Sequence, residues 1–422
     1  MVFPASSAAR HAVAALVLGC VLSGCGGISE HDGAQRSPAA PSGTDAASGM
    51  GGAPSLPPAE PSALVLRFAA PLAQPDVGFD PFSLEPPVVL AFSPDGSRLA
   101  FAPSSAAREY DAATGVLLSA TTDGPLALAR NHAFTLELEN DGGALALREL
   151  PAGAVRWRVP APPGLLVAAF SDDDGYAVAL GCSQAGAALE RFRVSDGAGE
   201  PAIPLGRCLG SRVSFDVPLP TLVVRSSGAE AIVTAVSGDS DPAGDARAAS
   251  GDPNANSAFD PNIDEGAAWR VELESGALTA FHAVAAPGTG LLAFAAAAGG
   301  GGFAALGTDG GVVFRSGIAS EPAWPAVAAS TAKLSCYFVP PVVLPLAVSA
   351  DARLLAAGTA DGHALVLRRT SDGVELARTA GPGAASCDVG GAPPLPMLAA
   401  FDRDAAALAV VWDETLAVYD VK

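Results

Sequence analysis

From about Ala63 onward, apolar residues come in short runs separated by turn formers, and a helical period is nowhere sustained. Leu64–Phe68, Val88–Phe92, Leu99–Ala102 and Leu165–Phe170 have the length and composition of β-strands. Between two such runs, Ser93-Pro94-Asp95-Gly96 predicts a tight turn, in which proline presets φ, aspartate caps and glycine takes the left-handed position. Asp111 to Gly115 does the same for the next pair of strands. This strand–turn–strand–turn order returns in Leu165–Ala202 and again from Leu346 through Leu367 and the segment that follows.

The glycine of the last turn in each unit serves as a ruler. It falls at Gly115, Gly153, Gly197, Gly276, Gly317 and Gly373, in steps of 38, 44, 79, 41 and 56 residues. Periods near 40 with four strands each predict the blades of a β-propeller. The long step reads as one blade with an insertion, since Thr221–Arg225 and Glu230–Val236 supply its middle strands and Trp269–Phe281 its last. The expected architecture is all-β: one propeller over residues 63–422 with seven blades, at about 88–120, 125–159, 165–203, 211–283, 290–320, 345–378 and 395–422. The seventh shows three strands of its own, and Ala63–Phe68 is expected to add the fourth and close the ring, which hides otherwise exposed strand edges. A pair of stacked β-sandwiches is the competing architecture.

"FSPDGSRLAF" resembles the strand–turn–strand of WD40-type and TolB-type repeats, "ADGHALVLRRTSDGVELA" looks like a WD40 blade end, and "LPAGAVRWRV" is closer to the quinoprotein-like repeat. The resemblance extends over roughly residues 63–422. The recurrent Gly-His and Trp-Asp pairs of WD40 repeats are missing, so the polar tetrad that braces such blades is not expected here.

The first 25 residues carry the sharpest motif. Arg10 and His11 precede an apolar run from Ala12 to Leu22, which ends in Leu22-Ser23-Gly24-Cys25. This resembles the lipobox of bacterial lipoproteins, and it implies a signal peptide at 1–24 with lipid attached to the Cys25 thiol. Gly26 stands where a retention aspartate would, so the expected location is the cell envelope, on the periplasmic or surface face of the outer membrane. Residues 26–62, rich in Gly, Ser, Pro and Ala, read as a flexible tether with a root-mean-square span of about 30–36 Å. Leu291–Gly307 is interrupted by glycines and Tyr337–Ala350 by prolines, so neither makes a convincing membrane span.

With Cys20 in the signal and Cys25 lipidated, Cys182, Cys208, Cys336 and Cys387 remain, an even set that in an exported protein suggests disulfides. Three connectivities are open. Pairing of sequence neighbours, Cys182 with Cys208 and Cys336 with Cys387, is preferred because repeats contact their neighbours. No Cys-x-x-Cys occurs, which argues against a redox dithiol or a zinc site.

The net charge of −20 repels phosphate backbones, so nucleic acid is not an expected partner. The insertion at 237–266 concentrates that charge: Asp239, Asp241, Asp245, Asp252, Asp260, Asp264 and Glu265 stand against one arginine. Asp252-Pro-Asn-Ala-Asn256 imitates the start of a calcium loop, but Ser257 and Ile263 occupy the places of its turn glycine and bidentate glutamate. A solvated loop that could meet a basic partner is the better reading. The histidines of the mature chain are isolated, and no G-x-S-x-G elbow occurs. No catalytic residue, metal or cofactor is therefore expected. The expected function is a membrane-tethered, non-catalytic propeller that serves as a protein-interaction platform. The alternative is an envelope hydrolase or oxidoreductase with a metal or cofactor in its channel.

Overall fold

The computed structural model describes residues 63–72, 89–102, 107–121, 125–139, 143–150, 153–183, 186–206, 221–225, 228–234, 267–284, 291–297, 300–307, 309–318, 320–328, 345–359, 363–382, 396–412 and 415–422. The chain divides into the units Met1–Pro57 and Pro58–Lys422, and all of the described residues belong to the second. Every named element there is a strand, and the strands form seven four-stranded antiparallel sheets: a seven-bladed β-propeller.

β1 (Leu64–Pro71) leads the chain. Blade 1 is β2 (Val89–Phe92), β3 (Arg98–Ala102), β4 (Ala107–Asp111) and β5 (Leu117–Thr121). Blade 2 is β6 (Ala127–Leu128), β7 (Phe134–Glu139), β8 (Ala144–Glu149) and β9 (Val155–Pro160). Blade 3 is β10 (Leu165–Phe170), β11 (Tyr176–Ser183), β12 (Gly186–Arg193) and β13 (Ile203–Gly206). Blade 4 is β14 (Leu222–Arg225), β15 (Glu230–Thr234), β16 (Ala267–Glu272) and β17 (Leu278–His282). Blade 5 is β18 (Leu291–Ala296), β19 (Phe303–Gly307), β20 (Gly311–Arg315) and β21 (Val327–Ala328). Blade 6 is β22 (Leu346–Val348), β23 (Leu354–Gly358), β24 (Ala364–Arg369) and β25 (Glu375–Ala380). Blade 7 takes β26 (Pro396–Phe401), β27 (Ala407–Trp412) and β28 (Thr415–Val421) from the end of the chain.

Its fourth, outer strand is β1, which pairs antiparallel with β28 from Leu64↔Val421 to Pro71↔Thr415. Ala63 and Lys422 exchange backbone hydrogen bonds of 2.7 and 3.0 Å at the end of this ladder. Blade 5 departs from expectation. Its fourth strand lies beyond residue 320, because the chain after β20 makes a wider excursion in which the Ser320 hydroxyl receives Gly317 N–H at 2.9 Å. Gly317 accordingly lacks the positive φ of 67–74° found at Gly115, Gly153, Gly197, Gly276 and Gly373.

The middle strands are buried along their length, as in β19, β23 and β27, because each sheet is covered on both faces by neighbouring blades. Apolar clusters fill the seams between blades 7 and 1, 2 and 3, 3 and 4, 4 and 5, 5 and 6, and 6 and 7. At four seams a large side chain on an outer strand, or just before it in blade 5, rests on the left-handed glycine of the next blade's last turn. A Cβ on Gly115 would lie 2.5 Å from Phe68, one on Gly197 2.8 Å from Trp157, one on Gly373 2.8 Å from Trp324 and one on Gly276 3.5 Å from Ile203. Glycine is required at the tightest of these because a side chain there would overlap an aromatic ring.

The turn between the first and second strands supplies a second device, repeated in every blade. Gly96, His132, Asp174, Gly228, Gly300, Ala352 and Ala405 occupy one left-handed position, with φ between 55 and 81°. A non-glycine residue there costs about 1–2 kcal/mol. Each faces the preceding blade. Asp174 accepts Arg130 and Asn131 backbone N–H groups at 2.7 and 2.9 Å, and His132 Nδ1 lies 3.2 Å from Glu109. Gly300 O accepts from Arg225 at 2.7 Å, and Gly228 O from Arg191 at 2.5 Å. Ala405 packs on Leu354 and Leu367, while a Cβ on Gly301 would touch Ala352 at 3.0 Å and one on Gly96 would stand 3.9 Å from Asp402. These contacts brace the ring from blade to blade.

Candidate functional site

The two ends of the propeller are built differently. At the turn end, first and second strands are joined by tight turns whose polar groups are locally satisfied. Ser93, Ser171 and Ser349 each donate a hydroxyl to the aspartate two residues on, at 2.7 Å, and accept the amide five residues on, at 2.9–3.0 Å. The Asp95 carboxyl is held down to about 2 by the Ser93 hydroxyl and by the Ser97 amide and hydroxyl. Such turns are rigid and self-contained.

Connections from second to third strands, and from each outer strand to the next inner one, leave from the opposite end. The segments 73–88, 207–220, 235–266, 329–344 and 383–395 are all of this kind and lie outside the described residues. Cys208, Cys336, Cys387 and the acidic Asp239, Asp241, Asp245, Asp252, Asp260, Asp264 and Glu265 fall on them. The strand order thus assigns these residues to connections that start and finish at one end of the ring. Cys25 and the tether also lie outside the described residues.

Cys182 is described, near the end of β11, and it is disulfide-bonded. It stands opposite Ala187, which in turn stands opposite Gly206, two residues before Cys208. Its partner lies outside the described residues.

The inner strands are apolar almost throughout, and their side chains feed the clusters between blades. β2 reads Val-Leu-Ala-Phe, β10 Leu-Leu-Val-Ala-Ala-Phe, β18 Leu-Leu-Ala-Phe-Ala-Ala and β26 Pro-Met-Leu-Ala-Ala-Phe, and Arg225 at the end of β14 is the one charged residue among the seven. Among the described residues no group of three His, Cys, Asp or Glu side chains is placed to hold a metal, and no helix is long and apolar enough to cross a membrane.

One acid–base pair escaped sequence reasoning. His132 is almost wholly buried between blades 1 and 2, and Arg98 approaches the same Glu109 oxygen at 3.4 Å. Burial pushes the imidazole pKa below its ordinary value, and Glu109 opposes that shift. The His132 ring is enclosed by protein, beside the backbone of Ala91, and the pair bridges the seam between blades 1 and 2. The signal was available: aligning "ARNHAF" with "SPDGSR" puts His132 in the place of Gly96. Burial likewise pushes up the carboxyls of Asp174 and Asp402, both in first-to-second-strand turns.

No known protein family and no curated protein matches the sequence. Solved structures do. U3-55K aligns with a TM-score of 0.53 at 9% identity, over 83% of this chain and 98% of its own. Hydrazine synthase of Kuenenia stuttgartiensis aligns with a TM-score of 0.52 at 11% identity, over 79% and 95%. The β-propeller domain of Myceliophteria thermophila Cps50 (Swd1) gives 0.49 at 12% identity, over 79% and 96%. At such identities the likeness to U3-55K and hydrazine synthase shows the fold and nothing finer.

Proposed function

We propose that this chain is a lipid-anchored, non-catalytic propeller that holds a protein-interaction surface away from a membrane in the bacterial cell envelope. One observation carries the reading: the connections at 73–88, 207–220, 235–266, 329–344 and 383–395 all leave from a single end of the ring, whereas first and second strands are joined at the other end by tight turns. Binding residues usually sit on loops that a rigid scaffold positions. The lipid on Cys25 and the tether 26–62 supply the attachment, and Cys182–Cys208 and Cys336–Cys387 would pin the connections. The acidic segment 237–266, about six charges negative, favours a basic partner whose binding weakens with salt.

The test is cross-linked copurification from native envelope with wild type, Cys25→Ala and a variant lacking 239–265, at low and high salt. Cys25→Ala should leave the membrane fraction, and the loop deletion should lose its salt-sensitive partners. Identical partner sets with and without 239–265 would remove the segment from the reading. A stoichiometric metal in the purified protein would favour the channel-enzyme alternative instead.

A further inference from the structure

The seam between blades 1 and 2 lacks the plug found on the turn glycine at four other seams, aromatic at three of them and Ile203 at the fourth. In register, Glu109 faces Ser119 as Leu147 faces Trp157, and in both sheets the outer strand skips one residue just before that pair. β1 does the same at Arg67, before Phe68. Ser119 therefore stands where Trp157 and Phe68 stand in blades 2 and 7. The glycine it should cover is Gly153, whose φ is 67°. Gly197 and Gly373 are buried under their tryptophans, but Gly153 is exposed, and a Cβ built on it would meet nothing within 4 Å. No apolar cluster spans this seam among the described residues, and Val116 and Leu118 beside it are 59% and 51% exposed.

The polar half of the plug is not supplied by blade 1 either, where one oxygen of Asp111 serves as the cap of its own turn, accepting the Ala113 and Thr114 amides and the Thr114 hydroxyl. Trp157 Nε1 donates to Val194 O at 3.0 Å, Trp324 Nε1 to Thr370 O at 2.8 Å, and Arg67 to Ala112 O at 3.0 Å. Each acceptor lies three residues before the covered glycine, and the corresponding carbonyl here is that of Leu150. In blades 7 and 2 the residue before the aromatic is an arginine on an acid of its own blade, Arg67 on Asp420 and Arg156 on Glu149. In blade 1 the acid is Asp111, but Leu118 replaces the arginine, and among the described residues no arginine pairs with Asp111.

We propose that this notch is a docking site for a partner protein's exposed cation–aromatic pair, an arginine or lysine beside a tryptophan or phenylalanine. The aromatic ring lies on Gly153 with the Leu150 carbonyl as acceptor for an indole N–H, and the cation meets Asp111. The occupant's chemistry is copied from Arg67-Phe68 and Arg156-Trp157, which fill the same position at two other seams. Charge complementarity agrees, since Asp111 lacks its cation and the chain carries −20 overall. The site belongs to the ring itself and does not depend on a membrane anchor or on the connections at the other end.

The test titrates the full chain against acetyl-Arg-(5-fluoro-tryptophan)-amide, followed by fluorine NMR. Saturable binding with a dissociation constant on the order of millimolar is expected for so small a ligand. Ser119→Trp, which supplies the missing plug from within, should weaken it by roughly tenfold or more. Ser119→Leu, a smaller filling, should weaken it less and decides the matter where the tryptophan variant does not fold. Acetyl-Glu-(5-fluoro-tryptophan)-amide should bind several-fold more weakly than the arginine peptide. Absence of saturable binding, equal binding by wild type and the filled variant, or indifference to the arginine would each overturn the proposal.

Discussion

Gly153 and Gly197 form a matched pair for testing how the blades lock together. Both close the turn before an outer strand, with φ of 67° and 72°, and both donate their N–H to the carbonyl four residues earlier, at 2.7 and 2.8 Å. Replacing either by alanine imposes the same left-handed penalty, about 1–2 kcal/mol. They differ in what lies above. A Cβ on Gly153 enters open space, whereas one on Gly197 would stand 2.8 Å from Trp157 Cγ and 2.9 Å from its Cδ2. Trp157 cannot retreat freely, since it is 8% exposed and its indole N–H is held by Val194 O. Overpacking of that kind adds about 1–3 kcal/mol. Gly153→Ala should thus destabilise by about 1–2 kcal/mol and Gly197→Ala by about 2–5 kcal/mol. Urea unfolding followed by far-ultraviolet circular dichroism reads both without relying on the perturbed indole, and the comparison is sound where m is unchanged. Equal shifts in midpoint would refute the claim that an aromatic plug on the turn glycine secures the seam, and with it the reading of Gly153 as an unfilled copy.

Acidification should loosen the seam between blades 1 and 2. Burial keeps the His132 pKa below 6.5, so just under that pH the unfolded chain binds more protons and stability falls as pH drops; His132→Asn, which tolerates the left-handed backbone, should flatten that slope in pH-resolved denaturation. Deleting residues 26–60 should leave thermal unfolding nearly unchanged, whereas deletion through Phe68 should lower the midpoint sharply by removing much of the β1–β28 ladder and the Arg67–Asp420 pair; equal effects would count against closure by β1. Non-reducing peptide mapping should join Cys182 to Cys208, a closure of about 25 residues that contributes roughly 3–4 kcal/mol in the loop-entropy description, and any other partner for Cys182 would refute the neighbour pairing.

The strands and most of their turns were legible because their causes are local. Ser93-Pro94-Asp95-Gly96 specifies its own turn, and the structure places Gly96 N–H on Ser93 O at 2.8 Å as that composition demands. Gly317 was misread for the same reason: Ser-Gly looks like a tight-turn end, but the closing partner is Ser320, and the fourth strand starts several residues later. The seams were not legible. Trp157 and Val194 are 37 residues apart, and Trp324 and Thr370 46 apart, so no local window contains both halves of a contact. His132 was hidden by a different effect, since it replaces the glycine by which its turn would have been recognised. The acidic segment and three of the four cysteines could be assigned to one end only once the strand order was known.

The seven left-handed positions show why the fold survives so little sequence likeness to other propellers. The backbone demands a positive φ there, and the seam demands that whatever stands there also meet the blade before it. Glycine meets the first demand without strain and leaves the second to a neighbour, as Arg225 does at Gly300 and Arg191 at Gly228. Aspartate and histidine accept the strain and meet the second demand themselves, through two backbone amides in one case and a glutamate in the other. Alanine meets it by packing, on Leu354 and Leu367 at Ala405. A strain of about 1–2 kcal/mol is comparable to what a single charge-assisted hydrogen bond returns, so selection for the fold alone has little to choose among these solutions. Each blade can then drift to its own chemistry while the ring is kept. The same freedom explains the seam between blades 1 and 2: Glu109 and His132 bridge it near the turn end, which releases Ser119 from serving as a plug and leaves Gly153 uncovered.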